Sequence, residues 1–134
     1  MEIQPFCFAA ASGVVRIAEL MVEKNQDLPL IRGFNNAVTP LFIAVSNKCT
    51  EMVPYLLSIT DLDQLDYQEE NELLIATIHR DFYDISLWIL QRYPYLAIMK
   101  DTNEETALHV MARKPSAMDV TKQLSSWTLF IDST

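Results

Sequence analysis

Glycine, cysteine and histidine are scarce in this sequence, which contains two of each. The sequence therefore has no glycine-rich phosphate loop, and no pair of cysteines or histidines at the spacing of metal ligands. His79 and His109 also lie far from either cysteine along the chain. The carboxylates of Glu69, Glu70 and Glu72 could in principle serve acid–base chemistry, but an acidic run of this kind is more typical of a solvated face. We expect no cofactor, no metal and no enzymatic activity.

Basic residues are also few: the sequence has 10 lysines and arginines against 18 aspartates and glutamates, and its formal net charge is −8. That balance disfavours nucleic acid or an anionic membrane surface as the main ligand. No apolar run reaches the roughly 18 residues of a membrane span, and no signal peptide opens the chain. Cys7 and Cys49 lie far apart on apolar stretches, which favours reduced core cysteines over a disulfide. These features predict a soluble, cytoplasmic chain that does not insert into a membrane.

A short motif recurs four times in this otherwise apolar sequence, half of whose residues are hydrophobic. Its clearest copy covers residues 39–45, and altered copies cover residues 4–10, 71–77 and 106–112. If Pro5, Pro40, Glu72 and Ala107 are equivalent, the copies are 35, 32 and 35 residues apart. Thr39 and Thr106, the first residues of their copies, can cap a helix, and proline suits a first helical position. The motif therefore predicts the start of a helix in every repeat.

The ankyrin repeat is a turn followed by two antiparallel helices, with a period near 33 residues and a motif that begins Thr-Pro-Leu-His-x-Ala. The spacing of the copies and the motif at residues 39–44, Thr-Pro-Leu-Phe-Ile-Ala, resemble this repeat. The resemblance implies an all-α ankyrin-repeat solenoid of about four repeats within residues 1–118. The repeats cover about residues 4–32, 33–66, 67–100 and, in part, 101–118. The first helices would then cover 6–12, 40–46, 72–79 and 107–113, and the second helices 15–24, 50–58 and 84–92. Apolar residues recur at helical spacing in the divergent tail, 119–134, and predict a helical cap.

The resemblance also implies roles for single residues in the repeats. Leu41 and Leu108 would enter the core, and His109 would form hydrogen bonds that link turn and helix between repeats. Glu104 stands where the family favours glycine. The phrasing of residues 27–33, 72–78 and 106–115 resembles plant ankyrin proteins that commonly carry a C-terminal membrane domain of the Pro-Gly-Gly type. This resemblance gives an alternative to simple partner binding. The chain would be a regulatory cytosolic fragment of such a membrane-anchored protein and would act by assembling with other repeats.

Ankyrin arrays bind partners through the tips of the projecting turns, or fingers, and through the exposed ends of the first helices. Carried over by position, the resemblance implies a partner-binding strip made of Asn35, Asn36, Val38, Ser46, Asn47, Tyr67, Gln68, Glu70, His79, Thr102, Asn103, Glu105, Arg113 and Lys114. The predicted middle and last fingers carry several carboxylates, which act on partner choice more than on stability. We expect a protein partner with a basic or mixed-polar surface, and the oligomeric state stays open.

The predicted middle finger, residues 61–72, contains six acidic residues and no basic residue. Asp61, Asp63 and Glu72 occupy the first, third and twelfth places of a calcium-binding loop. Leu65 stands at the fifth ligand place, however, and Asp66 replaces the glycine that the sharp turn requires. The pattern therefore favours a solvated acidic finger over a calcium site.

Overall fold

A computed structural model describes residues 3–33 and 38–114 of the chain. These residues form seven α-helices and three short 3-10 helices, with no β-strand among them, and this confirms the all-α prediction. The chain divides into two compact units, an N-terminal unit of Met1–Asp66 and a C-terminal unit of Tyr67–Thr134. The division falls where the sequence places the boundary between the second and third repeats.

The N-terminal unit contains two pairs of helices: α1 (Ile3–Ser12), α2 (Val15–Lys24), α3 (Pro40–Ser46) and α4 (Met52–Ile59). Helix α1 packs against α2 and α3, and α3 packs against α4. The predicted bounds of α2 and α3 are confirmed, whereas α1 begins three residues earlier than expected and α4 is displaced by one or two residues. Helix α3 begins where the motif predicts, since Thr39 Oγ1 accepts a hydrogen bond from the Phe42 N–H at 3.3 Å and Pro40 takes the first helical position.

The predicted first finger is closed at its base by a short antiparallel pairing. The N–H of Gly33 donates to the carbonyl of Val38 at 2.9 Å, and the N–H of Val38 lies 3.5 Å from the carbonyl of Gly33. A 3-10 turn, Leu28–Leu30, connects α2 to this pairing. Asn35 and Asn36, the predicted tip residues, lie outside the described residues.

The core of the N-terminal unit lies between the helices and includes Leu41, which is 1% exposed, as predicted. Cys7 is buried and Cys49 is half-buried, and both thiols are free. The Cys49 thiol donates to the Ala11 carbonyl at 3.3 Å. Burial raises the pKa of both thiols, which keeps them in the neutral, unreactive form.

The C-terminal unit is built around its first helix, which packs against both of the others. Its helices are α5 (Tyr67–His79), α6 (Tyr83–Arg92) and α7 (Ala107–Ala112). The hydroxyls of Thr77 and Ser86 are buried and lie 2.8 Å apart, so that they form a hydrogen bond between α5 and α6. This bond satisfies two polar groups that would otherwise be costly to bury.

Helix α5 corrects the sequence interpretation of residues 67–71, which were expected to form part of a projecting finger. The helix begins at Tyr67, five residues before the predicted start. No glycine or proline interrupts this stretch, and Glu69 and Glu70 lie in the first turn, where carboxylates interact favourably with the helix dipole. The helix therefore extends through the segment that the acidic composition suggested was a loop. What remains of the finger is a 3-10 turn, Leu62–Gln64, after the cap residue Asp61.

Helix α7 begins with the predicted cap, which is reciprocal. Thr106 Oγ1 accepts from the His109 N–H at 3.3 Å, and His109 Nδ1 accepts from the Thr106 N–H at 3.2 Å. These bonds connect His109 to Thr106 in the same turn and helix, whereas the resemblance implied bonds of His109 between repeats. No bond of that kind is found for His109 among the described residues. A second correction concerns Leu108, which is half-buried instead of a core residue. The helix is only six residues long and packs, among the described elements, against α5 and the 3-10 helix Pro94–Ala97.

Candidate partner-binding surface

Lys114, which lies just after α7, contacts the C-terminal end of α5. Its Nζ donates to the carbonyl of His79, the last residue of α5, at 3.0 Å, and lies 2.8 Å from Asp81 Oδ1. A lysine at this place satisfies a carbonyl that the helix leaves unpaired and interacts favourably with the helix dipole. His79 and Lys114, both predicted site residues, are therefore neighbours. Asp81 belongs to the same group of contacts, although the sequence did not indicate it as a site residue.

Arg113 and Glu105, also predicted site residues, form an ion pair along α7. The Arg113 Nη2 and Glu105 Oε2 atoms are 2.5 Å apart. The hydrogen bond from the Arg113 guanidinium lowers the pKa of Glu105, and the same bond raises the pKa of Arg113. Because both groups are exposed, the pair stabilises the fold little. The pair does offset the charge of one of the carboxylates that were expected to influence partner choice.

The last finger is a tight turn organised by the Asp101 carboxylate. Asp101 Oδ1 accepts from the N–H groups of Asn103, at 2.8 Å, and Glu105, at 3.0 Å. Glu104 adopts a positive φ of 63°, a left-handed backbone conformation that glycine adopts more readily than glutamate. Thr102 and Asn103 are exposed at the tip of this turn. The finger therefore presents the two residues that the sequence places there.

Glu70 is not at the surface, and its prediction as an exposed finger residue is wrong. It is 4% exposed, and its Oε2 accepts a hydrogen bond from the hydroxyl of Tyr95. Partial burial, followed by this bond to the carboxylate, raises the pKa of Tyr95. The reason for the error is the early start of α5, which places the Glu70 side chain on a packed face of a helix.

An aromatic surface covers Glu70. The ring of Tyr67, which is 67% exposed, meets the ring of Tyr95 edge-on with centroids 5.3 Å apart. Tyr95 in turn lies 6.2 Å from Tyr93, over whose ring the Arg92 guanidinium sits at 5.7 Å. Tyr67 was predicted from its position in the repeat, whereas Tyr95 was missed. The signal was present as the run Tyr93-Pro94-Tyr95, in which two aromatic residues flank a proline directly after α6.

The remaining predicted residues are distributed over both units. In the C-terminal unit Gln68 is exposed, and its Nε2 donates to Glu72 Oε1 at 3.2 Å. In the N-terminal unit Val38 and Ser46 are half-buried, and Asn47 is exposed. The Asn47 side-chain amide donates to the Ile43 carbonyl at 2.8 Å and so closes the end of α3.

Asn71 is buried on α5, and its Oδ1 has no hydrogen-bond partner among the described residues. In the repeat alignment Asn71 corresponds to Thr39 and Thr106, each of which caps a helix. Because α5 begins four residues before Asn71, the asparagine has no helix start to cap. The unpaired oxygen is thus a consequence of the helical extension that replaced the middle finger.

Replacement of Asn71 by leucine should raise the free energy of unfolding by about 1 kcal/mol. An unpaired buried acceptor costs about 1–3 kcal/mol, and leucine has a similar size without a polar atom. Urea unfolding followed by circular dichroism measures the change. Asn103→Leu, at an exposed position, is the control and should stay within about 0.5 kcal/mol of the parent chain. A clear loss of stability in Asn71→Leu would show that the oxygen has a partner in solution.

In the part of the chain that the structure describes, no three or more histidine, cysteine, aspartate or glutamate side chains are grouped so that they could hold a metal ion. None of the helices described is long and apolar enough to cross a lipid bilayer. Comparisons of the chain with models of protein families, with curated proteins and with solved structures found no match.

Proposed function

We propose that this chain is an ankyrin-type repeat protein that binds a protein partner without catalysing a reaction. The observation that carries the proposal is the packing of first helix on first helix within each unit, α1 on α3 and α5 on α7. Together with the repeat period of the motif and the caps at Thr39 and Thr106, this packing is the arrangement expected of stacked helix–turn–helix repeats. Stacking of that kind aligns the ends of the first helices, where such repeats hold their ligands.

The proposed surface in the C-terminal unit consists of Tyr67, His79, Thr102, Asn103, Arg113 and Lys114. The Asp101 turn and the bonds of Lys114 and Arg113 fix its backbone and its charged side chains before a partner arrives. A fixed surface loses less conformational entropy on binding, which favours affinity. We take the surface to include the aromatic ring of Tyr67, because exposed tyrosines are enriched at interfaces.

Charge on this surface favours a mixed-polar partner over a strongly basic one. Glu105 is paired with Arg113, Asp81 with Lys114, and Glu104 lies 3.5 Å from Lys100 Nζ. Each pairing offsets a carboxylate that would otherwise attract a basic surface. What remains is a set of paired charges of both signs, which a partner with both signs of charge complements.

A pull-down with a surface variant tests the proposal. Alanine at Tyr67, His79, Asn103 and Arg113 together should reduce enrichment of a captured protein by about tenfold or more, because interface energy concentrates in a few residues. The control carries alanine at three exposed residues of α6: Asp84, Trp88 and Gln91. The control should retain the protein, and both variants should melt within a few degrees of the parent. Equal enrichment by parent and surface variant would contradict the proposal.

A second candidate is assembly with other repeats, as in the cytosolic part of a membrane-anchored plant ankyrin protein. The observation that favours it is a set of exposed apolar side chains on the first helical pair: Phe8, Val14, Ile17 and Leu20. Terminal repeats of an array need a polar outer face to stay soluble on their own. Apolar groups at this place would be covered if another repeat stacked on α1 and α2.

A further inference from the structure

A groove of about 640 Å³ opens between α2 and α4 in the N-terminal unit. Its lining combines aliphatic side chains with two carboxylates and a phenol: Val22, Pro29, Ile59, Glu19, Glu23 and Tyr55. The size is within the range of about 300–1,000 Å³ found for ligand sites. The groove is formed by second helices, whereas the surface proposed above belongs to first helices and a turn of the other unit. It would therefore be a separate binding site.

The two carboxylates are placed where they disfavour each other and their own helix. Glu19 and Glu23 are four residues apart on α2, so both project from the same face and repel. Glu23 also lies in the last turn of α2, at the negative end of the helix dipole. Arg16 Nη1 approaches Glu19 Oε2 at 3.2 Å, but this pair is exposed and weak. Glu23 has no ion pair among the described residues. A cation between the two carboxylates would offset all of these unfavourable terms.

Tyr55 lines the groove together with the two carboxylates. Burial raises the pKa of its phenol, and the carboxylates of Glu19 and Glu23 raise it further. The aromatic ring also offers a surface on which a cation is attracted.

We propose that this groove docks an arginine or lysine side chain carried on an aliphatic segment of a protein partner. The cationic head would lie between Glu19 and Glu23, and its methylene stem would pack on Val22 and Ile59. Neighbouring aliphatic residues of the same segment would occupy the rest of the groove. Charge complementarity selects this occupant, because an acidic or purely apolar segment would leave the repulsion between the carboxylates in place.

A titration with two matched peptides tests this assignment on the full chain. One probe is a short acetylated and amidated helical peptide of alanine and leucine with a central arginine. The other carries citrulline, which has the same shape without the charge. In ¹H–¹⁵N spectra the arginine peptide should cause saturable shifts at residues 19–26 and 55–59. The citrulline peptide should bind about fivefold more weakly, since an exposed ion pair contributes up to about 1 kcal/mol.

The variant Glu19→Gln/Glu23→Gln separates binding from folding. It should bind the two peptides equally, yet unfold at the same or a higher urea concentration than the parent, because the repulsion is gone. The variant with alanine at Tyr67, His79, Asn103 and Arg113 should bind the arginine peptide as the parent does, so the failure of one proposal is distinguishable from failure of the other. Equal affinity of the parent for both peptides, or no saturable shift in the groove at millimolar peptide, would overturn the assignment.

Discussion

Replacement of Leu41 by alanine should lower the free energy of unfolding by about 2–5 kcal/mol. Leu41 is 1% exposed on α3, and α3 packs against both α1 and α4. Removal of its side chain leaves a cavity that neighbours on several helices would have to fill. Urea unfolding followed by circular dichroism gives the change in free energy.

Leu108 provides the matched comparison, because the motif assigns it the same place in the last repeat. Leu108 is half-buried, so Leu108→Ala should cost about 1 kcal/mol and clearly less than Leu41→Ala. The sequence interpretation, in which both leucines enter the core, instead predicts a loss of about 2–5 kcal/mol for each substitution. Equal measured losses would therefore favour the sequence interpretation over the packing of α7 described above.

Glu70→Ala should destabilise the chain by about 1–3 kcal/mol, although the repeat pattern placed this residue on an exposed finger. The substitution removes a buried carboxylate, together with the acceptor of the Tyr95 hydroxyl, and leaves space beneath the tyrosine rings. Glu105→Ala, at an exposed ion pair, should change stability by no more than about 0.5 kcal/mol. If neither substitution changed the free energy of unfolding, Glu70 would lie at the surface in solution.

Local signals in the sequence predicted the helices that they mark directly. Helix α3 has a threonine cap and a proline start, and both the cap bond and the bounds agree with the prediction. The bounds of α2 also agree with those predicted from the repeat pattern, residues 15–24. The ankyrin resemblance itself stays a proposal, since helical content and pairwise packing do not identify a family.

The middle of the chain shows where composition alone was insufficient. An acidic run such as residues 66–72 is compatible with a solvated loop or with the start of a helix, because carboxylates are favourable at a helix N-terminus. Only tertiary packing decides between the two, here through the Tyr95 hydroxyl on Glu70. The unpaired oxygen of Asn71 follows from the same extension of α5, and no local pattern could have indicated it.

The sequence predicted several of the residues that form the candidate surface, but it did not predict the contacts between them. The repeat pattern indicated His79, Arg113 and Lys114 as the ends of first helices, and the structure places Lys114 against the His79 carbonyl. Lys114 also pairs with Asp81, which adopts a positive φ of 65°. The sequence did not indicate this conformation, because no glycine stands there. Such bonds depend on how the ends of two helices approach each other. The spacing of residues along the chain does not contain this information.

Hydrogen–deuterium exchange of the chain with and without its captured protein partner tests the proposed surface most directly. We expect protection on binding at residues 67–68, 79, 101–105 and 113–114, where the polar ends of α5 and α7 and the last turn lie. Exchange along α6 should stay unchanged, because its exposed face belongs to a second helix. Protection confined to α6 would contradict the proposed surface, and protection confined to residues 8–20 would favour assembly through the first helical pair instead.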